Sequence, residues 1–315
     1  MKFLSLSVMC GVVATPAVAC DLCSVYSAAQ ARGEIGKGWF AGVAEQFTHF
    51  ETMQLEGHEV ANPTGQYLNS SLSQLFAGYN FSDRFGLQFN LPVIYRSFKR
   101  PEGFAIDRGT ESGIGDVSLI GSFRALQIEE KESTFLWTIL GGIKFPTGDT
   151  RRIGEELTEV VIPGAPESGI HGHDLTLGSG SVDGIVGTGV FARYKKWFFN
   201  ASVQYAIRTR GDFDYQFAND LTWMGGPGYF IALDNDYSVS VRLNISGETK
   251  GLDRFQGTAA DDTGVTAVYI GPQVTFSWTD KLSVELGADF PVRMANSALQ
   301  CVPDYRIRGG LSWHF

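Results

Sequence analysis

Three things are scarce in this sequence. Long apolar runs come first: glycine and polar residues interrupt every one, and none approaches the roughly 20 residues that a spanning helix needs. Any residence in a membrane must therefore use strands. Positive charge is second. Lys and Arg number 25 against 34 Asp and Glu, a formal net charge of −9, which argues against a nucleic-acid partner. Cysteine is third, at four in 315 residues.

The first residues explain one of the four. Lys2 supplies a positive end, an apolar stretch runs from Phe3 to Val13, and Ala17-Val18-Ala19 forms an A-x-A cleavage site. Residues 1–19 are therefore expected to be a secretory signal peptide. Its removal takes Cys10 and one Lys, so the charge moves from −9 to −10. Cys20, Cys23 and Cys301 remain. Export makes disulfides permissible, and an odd number leaves one thiol unexplained.

What is abundant is alternation. "RFGLQFNLPVIYRSF" puts Phe85, Leu87, Phe89, Leu91, Val93 and Tyr95 on one face, with Gln88, Asn90 and Arg96 on the other. "WFFNASVQYAIRT", "KLSVELGADFPVR" and "YRIRGGLSWHF" repeat the pattern. A period of two sustained over such lengths is a strand signal. Twelve strands are expected, at about 38–50, 67–81, 85–97, 113–126, 134–147, 181–195, 197–209, 220–233, 237–247, 266–278, 281–293 and 304–315. Short connections such as "KK" and "DND" alternate with long ones, the longest covering about 148–180. Glycine at 38 residues and aromatics at 13% suit strands that are half apolar and half polar.

Together these features predict an all-β, antiparallel up-and-down transmembrane barrel over 38–315, preceded by an N-terminal segment, 20–37. An even strand count puts both termini on the short-turn side, expected to be periplasmic in a Gram-negative outer membrane. A soluble sandwich would also alternate. The leader, the aromatics at strand ends and the terminal Phe315, placed as an assembly signal is placed, weigh against it. The expected partners are outer-membrane lipids, the barrel-assembly machinery and a small-molecule solute. The first strand is ambiguous: either Glu45 and His49 or Gln46 and Thr48 face inward.

Two short motifs carry a resemblance. Gly113-Ile114-Gly115-Asp116 opens a strand, and Phe145-Pro146-Thr147-Gly148 ends the next one. In these the chain resembles the outer-membrane barrels grouped as phenol-degradation meta-pathway, or transporter-like, proteins. The resemblance implies passage of small compounds, aromatic or hydrophobic, and no cofactor. It does not extend to "CDLC" at 20–23 or "HGHD" at 171–174.

Side-chain parity supplies a lumen list: Arg96, Arg124, Lys144, Arg193, Arg208, Arg242, Arg293, Arg306 and Arg308 against Asp116, Asp183, Glu285 and Asp289. Strand direction puts Arg96, Asp116, Lys144, Asp183 and Arg208 at one level on successive strands, alternating in sign, as a charge ladder. Asp289, Arg306 and Arg308 form a second set on the last two strands. Two readings stand: a network that stiffens the wall, or a constriction selecting anions or polar solutes. On the second, Arg96 and Arg208 should set anion preference.

Other chemistry is thinly signalled. His171 and His173 flank Gly172 beside Asp174, but one H-x-H-D cannot complete a tetrahedral site alone, so no metal is assigned. No G-x-S-x-G elbow or Ser–His–acid set can be named, so the expectation is a channel and not an enzyme. A closed structural or adhesion barrel and, further off, a lipid-modifying barrel with Ser and His on its outer face are the alternatives. In "CDLC", Ser24 stands where haem attachment needs His. A Cys20–Cys23 disulfide is expected, with lipidation and metal binding left open.

Overall fold

The computed structural model describes residues 37–160, 162–279 and 281–315. The leader, the Cys20–Cys23 pair and nearly all of the 20–37 segment lie outside the described residues.

Twelve strands form the wall. They are β1 (Gly38–Leu55), β2 (Tyr67–Asn80), β3 (Phe85–Glu102), β4 in two pieces (Ala105–Ile114 and Ser118–Glu129), β5 (Ser133–Lys144), β6 (Asp183–Tyr194), β7 (Trp197–Ile207), β8 (Asp220–Leu233), β9 (Tyr237–Lys250), β10 (Val265–Trp278), β11 (Leu282–Asn296) and β12 (Leu299–His314). Each pairs antiparallel with the next. β12 returns to β1 in register from Phe40–His314 to Leu55–Leu299, which closes the wall; the piece Ala105–Ile114 pairs on one side, with β3.

Burial follows the alternation. On β3, Gln88, Asn90, Ile94, Arg96, Phe98 and Arg100 are buried, whereas Phe85, Phe89, Val93 and Tyr95 are exposed. The outward residues are apolar and most of the inward ones polar, the reverse of a soluble domain and the pattern of a membrane barrel; Ile94 and Phe98 are the apolar exceptions inside. At the short-turn end, Trp39 packs edge-on against Tyr79, and Trp197 against Tyr229, at 5.0 and 4.9 Å between ring centres. Such aromatics belong at a membrane interface.

Several expectations change in detail. The stretch 98–112 is not a loop. β3 runs on to Glu102, turns at Gly103 (φ 59°), and Ala105–Ile114 returns beside it in register from Glu102–Ala105 to Val93–Ile114. This hairpin alternates between polar residues, such as Arg100 opposite Asp107, so it carries no apolar signal. β1 is settled as well: Gln46 and Thr48 are buried inside, while Glu45 and His49 lie on the outer surface. Arg293 leaves the lumen list. A register shift opposite Val268–Tyr269 pairs it with Val268, and Met294 takes the inner face against Val265, Ala267 and Tyr269.

Candidate functional site

The long connection after β5 folds back into the barrel. It contains two short helices, α1 (Arg151–Glu156) and α2 (Gly172–Leu175), and its residues from Ile170 to Ser181 are almost all buried. Ile170 and Leu175 pack with Phe50, Leu68 and Phe98 from the wall, and Leu177 with Leu72 and Ile94. Burial of these side chains gives the segment an apolar reason to sit inside.

The two sequence motifs are the hinge of that arrangement. Asp116 sits in the break of β4, where its carboxylate accepts from the Gly148 amide (3.0 Å), the Ser179 amide (2.9 Å) and the Ser179 hydroxyl (2.8 Å). Thr147 Oγ1 donates to the Gly115 carbonyl (2.8 Å) and accepts from Val117 N (3.0 Å). Glycine is needed where the loop meets the wall: a Cβ on Gly178 would lie 2.6 Å from the Gly148 backbone, and one on Gly115 would lie 2.8 Å from Ile94 Cδ1. G-x-G-D and P-T-G thus form a socket for the returning chain at Gly178–Ser179.

Four of the five ladder residues are joined. Lys144 contacts Asp116 directly and lies 2.9 Å from Asp183. Arg208 is 2.9 Å from Asp183 and 2.8 Å from Asp220, which extends the chain by one strand. All five of these groups are buried. Arg96 is the correction. Its guanidinium donates to the Thr176 carbonyl of the loop and reaches Ser70 Oγ at 3.5 Å, so it clamps the loop instead of extending the ladder. Arg100 reaches the loop too, 2.6 Å from Glu159 and 3.4 Å from the Ile170 carbonyl. Buried, paired charges of this kind do not line an aqueous pore in this conformation. Asp116, Lys144, Arg96 and Arg100 bind the loop to the wall, and Asp183, Arg208 and Asp220 tie neighbouring strands together.

The second set also divides. Arg308 pairs with Asp289 (2.6 Å), but Arg306 turns to Glu248 (2.6 Å) and lies over the Tyr269 ring at 4.0 Å. Asp220 and Glu248 were not anticipated. Asp220 opens its strand, and Glu248 falls one residue past the expected end of its own, so neither sat within a clear alternating run.

The histidines gain partners from other segments. His173 Nδ1 is 2.8 Å from Glu156 Oε1, and its Nε2 is 3.5 Å from Asp174 Oδ1. His171 Nδ1 is 3.6 Å from Asp262 Oδ2, in the loop after β9. The rings of His171 and His173 stack at 5.5 Å, and Tyr215 stacks on His173 at 6.4 Å. Burial disfavours a charged His173 ring, yet Glu156, Asp174 and Asp262 outweigh it and raise the imidazole to about 10. Burial likewise pushes the Glu156 carboxyl up, but His173 and His171 overcome it and bring it to about 2.

On the outer surface, Glu45 accepts hydrogen bonds from both Ser71 and Ser73, and His49 Nδ1 meets Asn69 Oδ1 at 2.7 Å. This polar patch interrupts an otherwise apolar face.

Space in the lumen is uneven. At the short-turn end lies a cavity of about 830 Å³, with Leu136, Phe191, Phe198 and Phe230 on its wall beside Arg124, Arg193 and Arg242. Beside the Lys144–Asp183–Arg208 chain the cavity shrinks to about 70 Å³, and under Ile170 and His173 to about 40 Å³. Those volumes hold a few waters.

No protein-family model matches the chain, and no curated protein matches it. Among solved structures, an outer-membrane channel from Pseudomonas putida F1 is similar over 90% of this chain and 97% of its own, with a TM-score of 0.64 at 16% identity. The β domain of a Bordetella autotransporter covers 89% of this chain and 100% of its own, at 10% identity and a TM-score of 0.47. The translocator domain of the autotransporter NalP from Neisseria meningitidis covers 90% of both, at 9% identity and a TM-score of 0.41. At 16% identity the likeness to the channel is one of fold, and that fold is the one the motif resemblance implied.

Proposed function

We propose that this chain is an outer-membrane channel for small molecules in which the segment 148–182 is the gate. One observation carries the reading. A closed twelve-stranded barrel has an open chamber of about 830 Å³ at one end, and the loop after β5, clamped by wall charges and packed against Tyr215 and Phe217, occupies the other. A barrel whose interior served only structure would need no chamber and no separately anchored segment. The similar Pseudomonas structure, described as an outer-membrane channel, supports the same reading. Both termini then lie at the periplasmic, short-turn side, and Phe315, whose amide donates to the Trp39 carbonyl, ends the strand offered to the assembly machinery.

The chamber indicates the solute. Phe191, Phe198 and Phe230 form a continuous aromatic strip, with ring centres 5.9 and 4.9 Å apart, and the charges around it are mixed: Arg124, Arg193 and Arg242 with Asp83, Glu129, Asp234 and Glu285. Small aromatic compounds fit the strip by stacking, and the mixed charges favour neither sign. The test is flux into liposomes carrying the purified protein, comparing benzoate, benzyl alcohol and glucose. Benzoate and benzyl alcohol should both enter faster than glucose. Absence of any flux, in the native chain and in a variant with the loop released, would favour a closed structural barrel.

A second reading draws on the outer patch. Glu45 lies six residues along β1 from the Trp39 girdle, about 15 Å up the wall at the usual strand rise and tilt, within the apolar band. A carboxylate with two serines and a His–Asn pair facing lipid could act on lipid. Phospholipase assays on folded protein, with Ser71→Ala and Ser73→Ala as controls, separate it from the channel. Turnover lost in those variants would support it, and no turnover would remove it.

A further inference from the structure

The H-x-H-D segment lacked its remaining ligands in the sequence, and the fold supplies them. Ligand atoms of His171, His173 and Asp174 lie within 4.8 Å of one another, and so do those of Glu156, His173 and Asp262. The two groups share His173. We propose that this cluster is a binding site for a divalent transition-metal ion of the zinc class, held by His171, His173 and Asp174 and faced by Asp262, and that the ion ties the gate segment to the loop after β9.

Four features of the geometry point this way. Glu156 takes no ligand position, because Oε1 meets His173 Nδ1 at 2.8 Å and Oε2 accepts the His173 amide at 2.7 Å. A carboxylate on one imidazole nitrogen fixes the tautomer that offers the other nitrogen to a metal. The offered atom, Nε2, then faces Asp174 Oδ1 at 3.5 Å. Asp174 is oriented in turn, since its Oδ2 accepts the His171 amide at 2.8 Å and leaves Oδ1 toward the site. Third, His171 Nδ1 is buried without a hydrogen-bond partner among the described residues, and its nearest acid is Asp262 at 3.6 Å.

The fourth feature is the spacing itself. Separations of 3.5 and 3.6 Å are long for charged hydrogen bonds, which run near 2.8 Å. Ligands bound tetrahedrally at about 2.0–2.1 Å stand roughly 3.3 Å from each other. Imidazole and carboxylate donors in that arrangement suit zinc, with copper and nickel as competitors. The structural effect follows from the sources of the ligands. His171, His173 and Asp174 belong to the gate segment around α2, whereas Asp262 belongs to the loop between β9 and β10. Gln300 on β12 holds that loop through the Asp262 carbonyl (2.6 Å). An ion seated here locks the gate to a different part of the rim.

The test uses the full-length protein in detergent, stripped with chelator, dialysed against Zn²⁺ and assayed for bound metal. Co²⁺ replaces Zn²⁺ for visible spectra. The expected result is one ion per chain with the intense bands of tetrahedral Co²⁺. Glu156→Gln should weaken binding by about 10–100-fold, and Asp262→Asn should weaken it measurably. His171→Gln is the decisive variant, since Nδ1 of that ring makes no hydrogen bond among the described residues. It should lose the ion while the barrel keeps its folded gel mobility. Three results would overturn the proposal: no retained ion, an ion retained unchanged by His171→Gln, or an ion lost only when Cys20 and Cys23 are changed to Ser.

Discussion

Replacing Asp116 by alanine removes the acceptor for two loop amides and one loop hydroxyl at a single stroke. Gly148 N, Ser179 N and Ser179 Oγ all end on its carboxylate, at 3.0, 2.9 and 2.8 Å. Hydrogen bonds to a charged group contribute about 1.5–3 kcal/mol each. At the lower value, fitting for donors that regain water on release, the loop loses about 4.5 kcal/mol of docking energy. Loss of one partner from a buried pair costs a similar amount, about 3–5 kcal/mol, although Lys144 keeps Asp183 at 2.9 Å. At about 1.4 kcal/mol per factor of ten, the undocked population should rise by roughly a thousandfold. The wall itself should survive, because its strand pairing does not use Asp116. Two assays read the change. Planar-bilayer recordings should show larger or more frequent openings. Cys301, packed under Ile170 and Leu175, should label with maleimide much faster in a Cys20→Ser, Cys23→Ser background. A folded Asp116→Ala barrel with native conductance and native Cys301 labelling would refute the idea that this socket holds a gate.

Arg96→Ala should also raise conductance, by freeing the Thr176 carbonyl, and should leave the reversal potential in a KCl gradient unchanged. A shifted reversal potential would restore the charge-filter reading for this residue. Gly178→Ala should speed Cys301 labelling without touching any charge, since its Cβ would stand 2.7 Å from Asp116 Oδ1; unchanged labelling would show that the loop absorbs the clash. Glu45→Leu should stabilise the barrel in vesicles by about 1–2 kcal/mol, because an acidic group on the apolar band is costly. A loss of stability in denaturant titrations would mean that the Ser71–Glu45–Ser73 contact holds β1 to β2.

Much of the wall was legible because a barrel in a membrane obeys one local rule. Each strand alternates, and the outward set must be apolar, so Phe85, Phe89 and Val93 announce both the strand and its face. Where the outward set is polar the rule goes silent. Glu45 and His49 could not be told from Gln46 and Thr48 as the outward pair of β1, and the hairpin over 98–112 read as a loop. The ladder was legible as a level, since strand direction and parity place Lys144, Asp183 and Arg208 at one height. Its partners were not, because an arginine side chain reaches several ångströms along the wall and takes the acceptor that the packed interior offers.

The amino-acid sequence determined the number of strands, their direction and, outside β1 and Arg293, the side most wall residues face, because those depend on a period of two and on turn length. Only the tertiary structure decided that the chain from Ile170 to Ser181 lies within the barrel. Nothing local in "HGHDLTLGSGS" distinguishes a loop in water from one in a lumen. Its burial depends on Phe50, Leu68 and Phe98, on Asp116 in a break of β4 and on Asp262 from another loop, contacts between segments up to some 120 residues apart that exist only once the sheet has closed.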